Sequence, residues 1–282
     1  MKFNLSPFRY PGGKTWLIPF FRKWMGSLGR IPELIIEPFA GGGIISITAV
    51  CENLVKQALM IEIDEQVSAV WRTILVHGDG EWLAQRIISF EMTRENAITE
   101  IQAERKLPKE IAFQTILKNR ISYGGIIGKA GLLKNGENGN GILSRWYPNT
   151  LAKRIRNLST IRDRLHCIPA DGFEALILGV QFKDTVFFID PPYTAGGKRA
   201  GARLYNYSEI DHAKLFEICG SLKGDFLMTY DNCDEVKELV RRHGFQMKPV
   251  AMRNTHHAEM TELLIGKDLS WLVGKEHMND QE

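Results

Sequence analysis

The stretch Leu34-Ile35-Ile36-Glu37-Pro38-Phe39-Ala40-Gly41-Gly42-Gly43-Ile44-Ile45 predicts the fold of this chain. An apolar strand runs into a glycine cluster, and a segment that can form a helix follows. Glycine lets the backbone pass close to a bound molecule, and the first turn of a helix offers unpaired N–H groups. The order of these elements indicates a cofactor site in an α/β sheet, although a plain strand-to-helix turn gives the same pattern.

The glycine pattern departs from two common phosphate-binding motifs. Ser46 stands where the dinucleotide fingerprint has its third glycine, and Phe8 stands where a phosphate loop ending in Gly13-Lys14-Thr15 needs its first. Glu62 follows Gly41 by 21 residues, a distance at which an acid can accept the ribose hydroxyls of a nucleoside cofactor. This spacing does not distinguish NAD from S-adenosylmethionine, and an unremarkable surface acid fits it too.

A second stretch, Val186-Phe187-Phe188-Ile189-Asp190-Pro191-Pro192-Tyr193, predicts an apolar strand stopped by two prolines. Asp190 is then held at the carboxyl end of the strand, where ligands bind in open α/β sheets. Asp190 and the Pro191 carbonyl can accept the two protons of an exocyclic amine while Tyr193 stacks on the base. A proline turn with a capping aspartate is the alternative.

The 282 residues suffice for one or two domains. Apolar runs alternate with amphipathic stretches at both ends of the chain, which predicts a largely parallel sheet with helices on both faces. Between them, helical runs such as Glu100 to Lys118 flank the glycine-rich stretch Tyr123 to Gly141. We therefore expect one α/β domain from residues 1–66 and 166–282, with a mainly helical domain inserted at 67–165. Strands are expected at Leu34–Glu37, Leu59–Ile63, Val186–Ile189, Phe226–Tyr230, Phe245–Val250 and Leu263–Ile265.

The net charge of +3 is unevenly distributed. From Arg86 to His166 there are 15 Lys and Arg against 7 Asp and Glu, so this segment carries +8 and the rest of the chain −5. The positive segment suits a polyanionic partner such as nucleic acid. A solvated helical surface explains the charge equally well.

Several functional classes are disfavoured by composition. The sequence has no apolar run of membrane-spanning length and no signal-peptide pattern, so we expect a cytoplasmic protein with no membrane partner. The four cysteines form no CxxC pair, and His256-His257 has no carboxylate or cysteine at ligand spacing. No metal site is therefore expected.

Three motifs together resemble the Dam-type, alpha-group adenine-specific DNA methyltransferases, which use S-adenosylmethionine. They are Arg9-Tyr10-Pro11-Gly12-Gly13-Lys14, the glycine turn from Glu37 to Gly43, and Asp190-Pro191-Pro192-Tyr193. Their order is that of the family, and the resemblance continues to Glu262-Leu263-Leu264-Ile265. Asp before the prolines points to adenine, since related protein glutamine methyltransferases carry NPPY and many cytosine-amine enzymes carry SPPY.

The resemblance implies a Rossmann-like methyltransferase sheet, an inserted target-recognition domain and double-stranded DNA as partner. It also implies a bacterial or phage-encoded monomer or weak dimer, of the kind found in restriction-modification systems, that flips adenine out of the duplex. The catalytic residues that it implies are Asp190, Pro191, Pro192 and Tyr193. The cofactor residues that it implies are Tyr10, Gly12, Lys14, Glu37, Phe39, Gly41, Gly43, Glu62, Asp171, Phe173 and Asp190. The DNA-binding residues that it implies are Arg9, Asn119, Arg120, Lys129, Arg145, Trp146, Tyr147, Lys198, Arg199 and Tyr207.

Within these sets the resemblance gives individual roles. Lys14 is expected to pair with the methionine carboxylate of the cofactor, and Glu62 to bind its ribose. Asp171 and Phe173 are expected to contact its adenine.

The chain departs from the family at two places. Asn140-Gly141-Ile142-Leu143-Ser144-Arg145-Trp146 replaces the usual Asn-Val-Pro-Phe-Gly stretch, so the resemblance does not extend to the usual GATC target. The loop Thr194 to Tyr207 is longer than usual, and Leu204 replaces a phenylalanine. Three alternatives stay open: a methyltransferase acting on RNA or a protein amide, a catalytically silent nucleic-acid-binding module, and an NAD oxidoreductase.

Overall fold

The computed structural model describes residues 6–9, 13–125, 127, 141–193, 210–253 and 259–272. Within these ranges one seven-stranded sheet has the order β3-β2-β1-β4-β5-β7-β6. Strands β1 to β5 are parallel, and β7 runs antiparallel to its neighbours β5 and β6. The strands are β1 (Leu34–Glu37), β2 (Gln57–Ile61), β3 (Leu165–Ile168), β4 (Thr185–Ile189), β5 (Asp225–Asp231), β6 (Gln246–Arg253) and β7 (Glu259–Gly266).

Helices cover both faces of the sheet, because each face buries its own apolar cluster. Val186 and Phe188 of β4 face one cluster, and Phe187 and Ile189 face the other. The first cluster is closed by α1 to α7 and the second by α8 to α10. These helices are α1 (Ile18–Ser27), α2 (Ile44–Cys51), α3 (Glu65–Leu75), α4 (Gly80–Ser89), α5 (Arg94–Gln102), α6 (Pro108–Ile121), α7 (Pro148–Ser159), α8 (Gly172–Gly179), α9 (His212–Ser221) and α10 (Asp234–Arg242).

The predicted α/β class is confirmed, with differences in detail. The short edge strand β3 was not among the expected strand ranges, because His166 interrupts its four residues and leaves no apolar run. β2 ends at Ile61 rather than Ile63. The expected helical run from Glu100 to Lys118 is two helices, since α5 ends at Gln102 and Pro108 begins α6 with its fixed φ.

The segment between β2 and β3 contains α3 to α7, which pack mainly on one another. Their buried side chains, including Trp71, Leu83, Phe113 and Leu151, belong to the same apolar cluster as the sheet residue Ile35. The inserted helices therefore share a core with the sheet, and their division into a separate domain stays a prediction.

The glycine turn after β1 depends on the absence of a side chain at Gly43. This residue precedes α2 with φ of 60°, in the left-handed region. A Cβ atom there would lie 2.6 Å from Met60 Sδ and 3.1 Å from Trp71. The turn is thus packed directly against β2 and α3.

Gly43→Ala should lower the free energy of unfolding by about 2–4 kcal/mol, since it combines left-handed strain with overpacking. Gly29→Ala is the matched control, because Gly29 has φ of 65° and nothing within 4 Å of its added Cβ. It should cost about 1 kcal/mol. Urea unfolding of both variants measures the difference, and equal losses would show that packing at Gly43 is not tight.

Candidate active site

Asp190 follows β4 at the carboxyl edge of the parallel strands. Its Oδ1 accepts a hydrogen bond from Thr229 Oγ1 at 2.7 Å and lies 2.9 Å from the Tyr193 hydroxyl. The Lys14 ammonium is 3.1 Å from the same oxygen. Among the described residues no group hydrogen-bonds to Oδ2.

Glu262 completes a buried cluster of charges with Lys14 and Asp190. Because β7 is antiparallel, its first half reaches the carboxyl edge of β5, where Glu262 pairs with Asp231 in the sheet register. The Lys14 ammonium donates to Glu262 Oε2 at 3.1 Å and to the Tyr193 hydroxyl at 2.8 Å. The Tyr193 hydroxyl has one proton to donate, to Asp190 or to Glu262 Oε2 at 3.1 Å.

The ionisation of this cluster follows from burial and mutual charge. Burial alone would lower the pKa of Lys14, but Asp190 and Glu262 together raise it, so the ammonium stays charged. Burial raises the pKa of Glu262, and Lys14 partly opposes this. Lys14 thus pairs with two protein carboxylates. Its expected pairing with a cofactor carboxylate would require it to share or leave them.

Two tyrosine rings lie against each other beside Asp190. The Tyr193 ring stacks on Tyr230 of β5, with centroids 5.8 Å apart and planes inclined by 21°. Tyr230 is fully buried, and its hydroxyl lies 2.6 Å from His212 Nδ1. Tyr193 is therefore braced at its ring and at its hydroxyl.

Glu62 lies just beyond β2, beside the glycine turn. Its Oε2 accepts the Gly41 N–H and its Oε1 accepts the Asp64 N–H, both at 2.8 Å. Burial raises the pKa of Glu62 to about 7, although these N–H bonds oppose the rise. Each carboxylate oxygen keeps a second lone pair for a further donor.

Glu37, expected at the cofactor, lies beneath the glycine turn. It is 3% exposed, and its Oε2 accepts from the Ser46 N–H at 3.1 Å and from Ser46 Oγ at 2.5 Å. Burial raises the pKa of Glu37 to about 8, with Ser46 opposing the rise. This geometry ties the end of β1 to the first turn of α2.

The start of α8 joins the same edge of the sheet. Asp171 caps the N-terminus of α8, and its side chain accepts the Phe173 N–H at 2.7 Å. The Phe173 ring meets Phe39 edge to face, with centroids 6.1 Å apart. Gly172 packs so closely on Pro38 that a Cβ would lie 2.4 Å from the Pro38 carbonyl oxygen. The expected cofactor residues after β1, β2 and β3 therefore lie along one edge.

Two residues expected at the DNA are buried. Asn119 is fully buried, and its side chain binds the Arg9 N–H and carbonyl at 2.8 and 2.9 Å and the Gly125 carbonyl at 2.7 Å. Arg120 is 5% exposed and donates to the Pro7 carbonyl. These side chains hold the segment 6–9 and have no surface with which to touch DNA directly.

The remaining expected DNA contacts are unevenly placed. Arg9 is exposed and Arg145 half-buried. Tyr147 is 54% exposed, whereas Trp146 is buried against Phe90. The expected site residues that lie outside the described residues are Tyr10, Gly12, Lys129, Lys198, Arg199 and Tyr207. The loop Thr194–Tyr207, Asn140 and His256-His257 lie outside them as well.

Arg154 and Glu262 were not among the expected site residues. Arg154 of α7 donates to the Ser6 carbonyl at 3.1 Å, and both Arg154 and Arg9 lower the pKa of Arg120, which burial brings to about 9. Nothing in the sequence distinguishes Arg154 from its basic neighbours. Glu262 stands next to the expected strand Leu263–Ile265, but its place at the site depends on the direction of β7.

Neither a metal cluster nor a membrane helix is found in the part of the chain that the structure describes. No group of three or more His, Cys, Asp or Glu side chains there is arranged to hold a metal ion. No helix there has the length and apolar character needed to span a bilayer.

Residues 10–255 match the sequence model of the D12 class N6 adenine-specific DNA methyltransferases. The chain belongs to this family. This methyltransferase therefore modifies adenine N6 in DNA, and family membership implies S-adenosylmethionine as methyl donor. No curated protein matches the chain.

Solved structures similar to this methyltransferase have distant sequences. One is from Pyrococcus horikoshii, a provisionally assigned RNA methyltransferase with 11% identity and a TM-score of 0.40, covering 92% of this chain and 84% of that chain. Another is a precorrin-6y C5,15-methyltransferase from Geobacter metallireducens, with 9% identity and a TM-score of 0.36, covering 88% and 86% respectively.

The raised pKa of Glu37 predicts a pH-dependent stability. In the folded methyltransferase the Glu37 carboxyl keeps its proton up to a pH of about 8. In the unfolded chain Glu37 loses this proton near its ordinary pKa of 4.5. The stabilisation is therefore complete below pH 4.5 and is lost as the pH rises towards 8, by up to about 1.4 kcal/mol per pH unit.

Glu37→Gln should remove the contribution of Glu37 to the slope of the free energy of unfolding against pH, since glutamine does not titrate and keeps an acceptor for Ser46. Urea unfolding between pH 5 and 8 measures this slope. Glu217→Gln, at an exposed position of α9, is the control and should keep the parental slope. A Glu37→Gln slope equal to the parental one would contradict a neutral Glu37.

Proposed function

We propose that this chain is a Dam-type enzyme that flips the target adenine out of the duplex and methylates it directly. The arrangement at Asp190 carries the proposal: Thr229 and Tyr193 hold one oxygen of this carboxylate in place, at the end of β4 beside the Tyr193 side chain. An adenine stacked on Tyr193 can direct its exocyclic amine to Asp190 Oδ2 and the Pro191 carbonyl. Stacking then offsets part of the few kcal/mol that unstacking the base costs.

The transfer step depends on positioning and on charge. S-adenosylmethionine supplies an electrophilic methyl group on a sulfonium. Asp190 would hold the adenine amine towards that methyl group, which is the contribution of proximity to the transfer. Its negative charge counters the positive charge growing on N6. The nitrogen then loses its extra proton to Asp190 or to water.

The residues along β1, β2 and β3 fit a nucleoside cofactor. Glu62 accepts one backbone N–H at each carboxylate oxygen, which leaves lone pairs for two ribose hydroxyls. Phe39 and Phe173 are partly exposed and supply apolar ring surface for an adenine. Gly41 and Gly43 keep the turn free of side chains. Three further residues support the site without facing the ligand. Lys14 pairs with Asp190 and Glu37 binds Ser46 of α2, while Asn119 binds the backbone of Arg9.

We assign the DNA-facing surface to the exposed residues around the segment 6–9. Asn119 fixes the backbone of Arg9 on both sides, while the Arg9 side chain is exposed. The buried Arg120 and the half-buried Arg154 add positive charge behind it. Such a concentration of guanidinium groups favours binding to the phosphate backbone of DNA.

Asp190→Ala should lower methyl transfer to DNA by at least about 100-fold, since the acceptor of the amine is lost. Asp184→Ala is the matched control, because Asp184 is an exposed acid just before β4, at the opposite edge of the sheet. It should leave transfer unchanged. The assay is transfer of labelled methyl to unmethylated DNA, and normal turnover by Asp190→Ala would refute the assignment.

Arg9 and Arg120 should differ in what their loss affects. Arg9→Ala should weaken DNA binding and reduce the slope of log affinity against log salt by about 0.9, as one phosphate contact requires. Arg120→Ala should instead lower the free energy of unfolding by about 1–3 kcal/mol, because it leaves the buried Pro7 carbonyl unpaired. Salt titrations and urea unfolding separate the two effects. If Arg9→Ala has the same slope of log affinity against log salt as the parent protein, Arg9 does not contact the DNA backbone.

A further inference from the structure

We propose that Glu262 is a positioning residue for methyl transfer, and that it gives the cluster around Asp190 the excess negative charge that the reaction needs. This inference rests on the proposed role of Asp190. Glu262 acts through Lys14 and Tyr193, which it contacts directly.

The charge balance of the cluster is the first argument. Lys14 lies 3.1 Å from Asp190 Oδ1, so these two groups alone form a neutral pair. A neutral pair does little for an amine that becomes positive in the transition state. Glu262, 3.1 Å from the same ammonium, adds a second carboxylate and makes the three-group cluster net −1.

The geometry is the second argument. Asp190 Oδ1 and Glu262 Oε2 are equally distant from the Lys14 ammonium, so the cation is divided between two carboxylates. The Tyr193 hydroxyl likewise lies between Asp190 and Glu262, at 2.9 and 3.1 Å. Glu262 therefore shares Lys14 with Asp190 and accepts from the hydroxyl of the tyrosine expected to stack on the base.

The burial of these groups is the third argument. Lys14 is 4% and Glu262 6% exposed, so water screens their charges little. Asp190 is more open, with 23% of its side chain exposed, as a group that meets substrate must be. Lys14 and Glu262 thus form the buried side of the cluster, and Asp190 forms its exposed side.

The test is the Glu262→Gln variant, which keeps the shape of the side chain and an acceptor for Lys14 but removes the charge. Its single-turnover methyl-transfer rate, with DNA and donor saturating, should fall by about 10-fold or more. The KM values for DNA and donor should stay within about twofold, because ground-state contacts are kept. Glu100→Gln is the matched control, since Glu100 is equally buried and paired with Arg105, outside the site.

The double variant Lys14→Met/Glu262→Gln separates charge from structure. In this double variant Asp190 is the one charged group left of the three, so the cluster again has a net charge of −1. Its single-turnover rate should therefore be higher than that of Glu262→Gln. A purely structural role predicts a double variant at least as impaired as Glu262→Gln. If Glu262→Gln does not fold, the double variant is compared with the parent protein, and a rate within about 10-fold supports the proposal.

Two results would overturn the proposal: a Glu262→Gln rate within twofold of the parental rate, or a double variant no faster than Glu262→Gln. Failure of the proposed function is distinguishable, because the parent protein itself would then transfer no methyl to DNA adenine.

Discussion

The buried ion cluster of Lys14, Asp190 and Glu262 is the interaction on which the site depends. It joins the 3-10 turn Lys14–Leu17, the end of β4 and the antiparallel strand β7, which lie far apart in sequence. Leaving one of these charges buried and unpaired costs about 3–5 kcal/mol, so the three elements are held in one arrangement. The turn Lys14–Leu17 is thereby fixed at the edge of the sheet where Asp190 stands.

The topology of the sheet explains why functional groups meet at this edge. Parallel strands present their carboxyl ends together, which brings Glu62, Asp171 and Asp190 to one side from β2, β3 and β4. The reversal of β7 adds Glu262, which a parallel strand would have placed nearer the opposite edge. Asp190 and Glu262 are thus brought together by strand direction as much as by residue identity.

The sequence was sufficient for the fold class and for the residues that follow strands. The strands ending at Glu37 and before Asp190 were recognisable because Pro38 and Pro191 mark where they stop, whereas Glu62 was singled out by its spacing of 21 residues from Gly41. Burial was harder to foresee, since Asn119 and Arg120 carry polar side chains that hydrogen bonds to backbone carbonyls bring inside. Glu262 required knowledge that β7 is antiparallel, which depends on contacts distant in sequence.

The roles of Glu37 and Lys14 show a related limit. Both were expected at the cofactor from their motifs, but their polar atoms are engaged by Ser46 and by two carboxylates. A motif fixes which residues gather around a site. Which of them face the ligand is decided by the hydrogen bonds of the folded chain.

The most direct test of this account is transfer of labelled methyl from S-adenosylmethionine to unmethylated genomic DNA, followed by base analysis. The account predicts that the label is recovered as N6-methyladenine at one short sequence motif. Label on cytosine, or no label on DNA from a protein that binds the methyl donor, would contradict it.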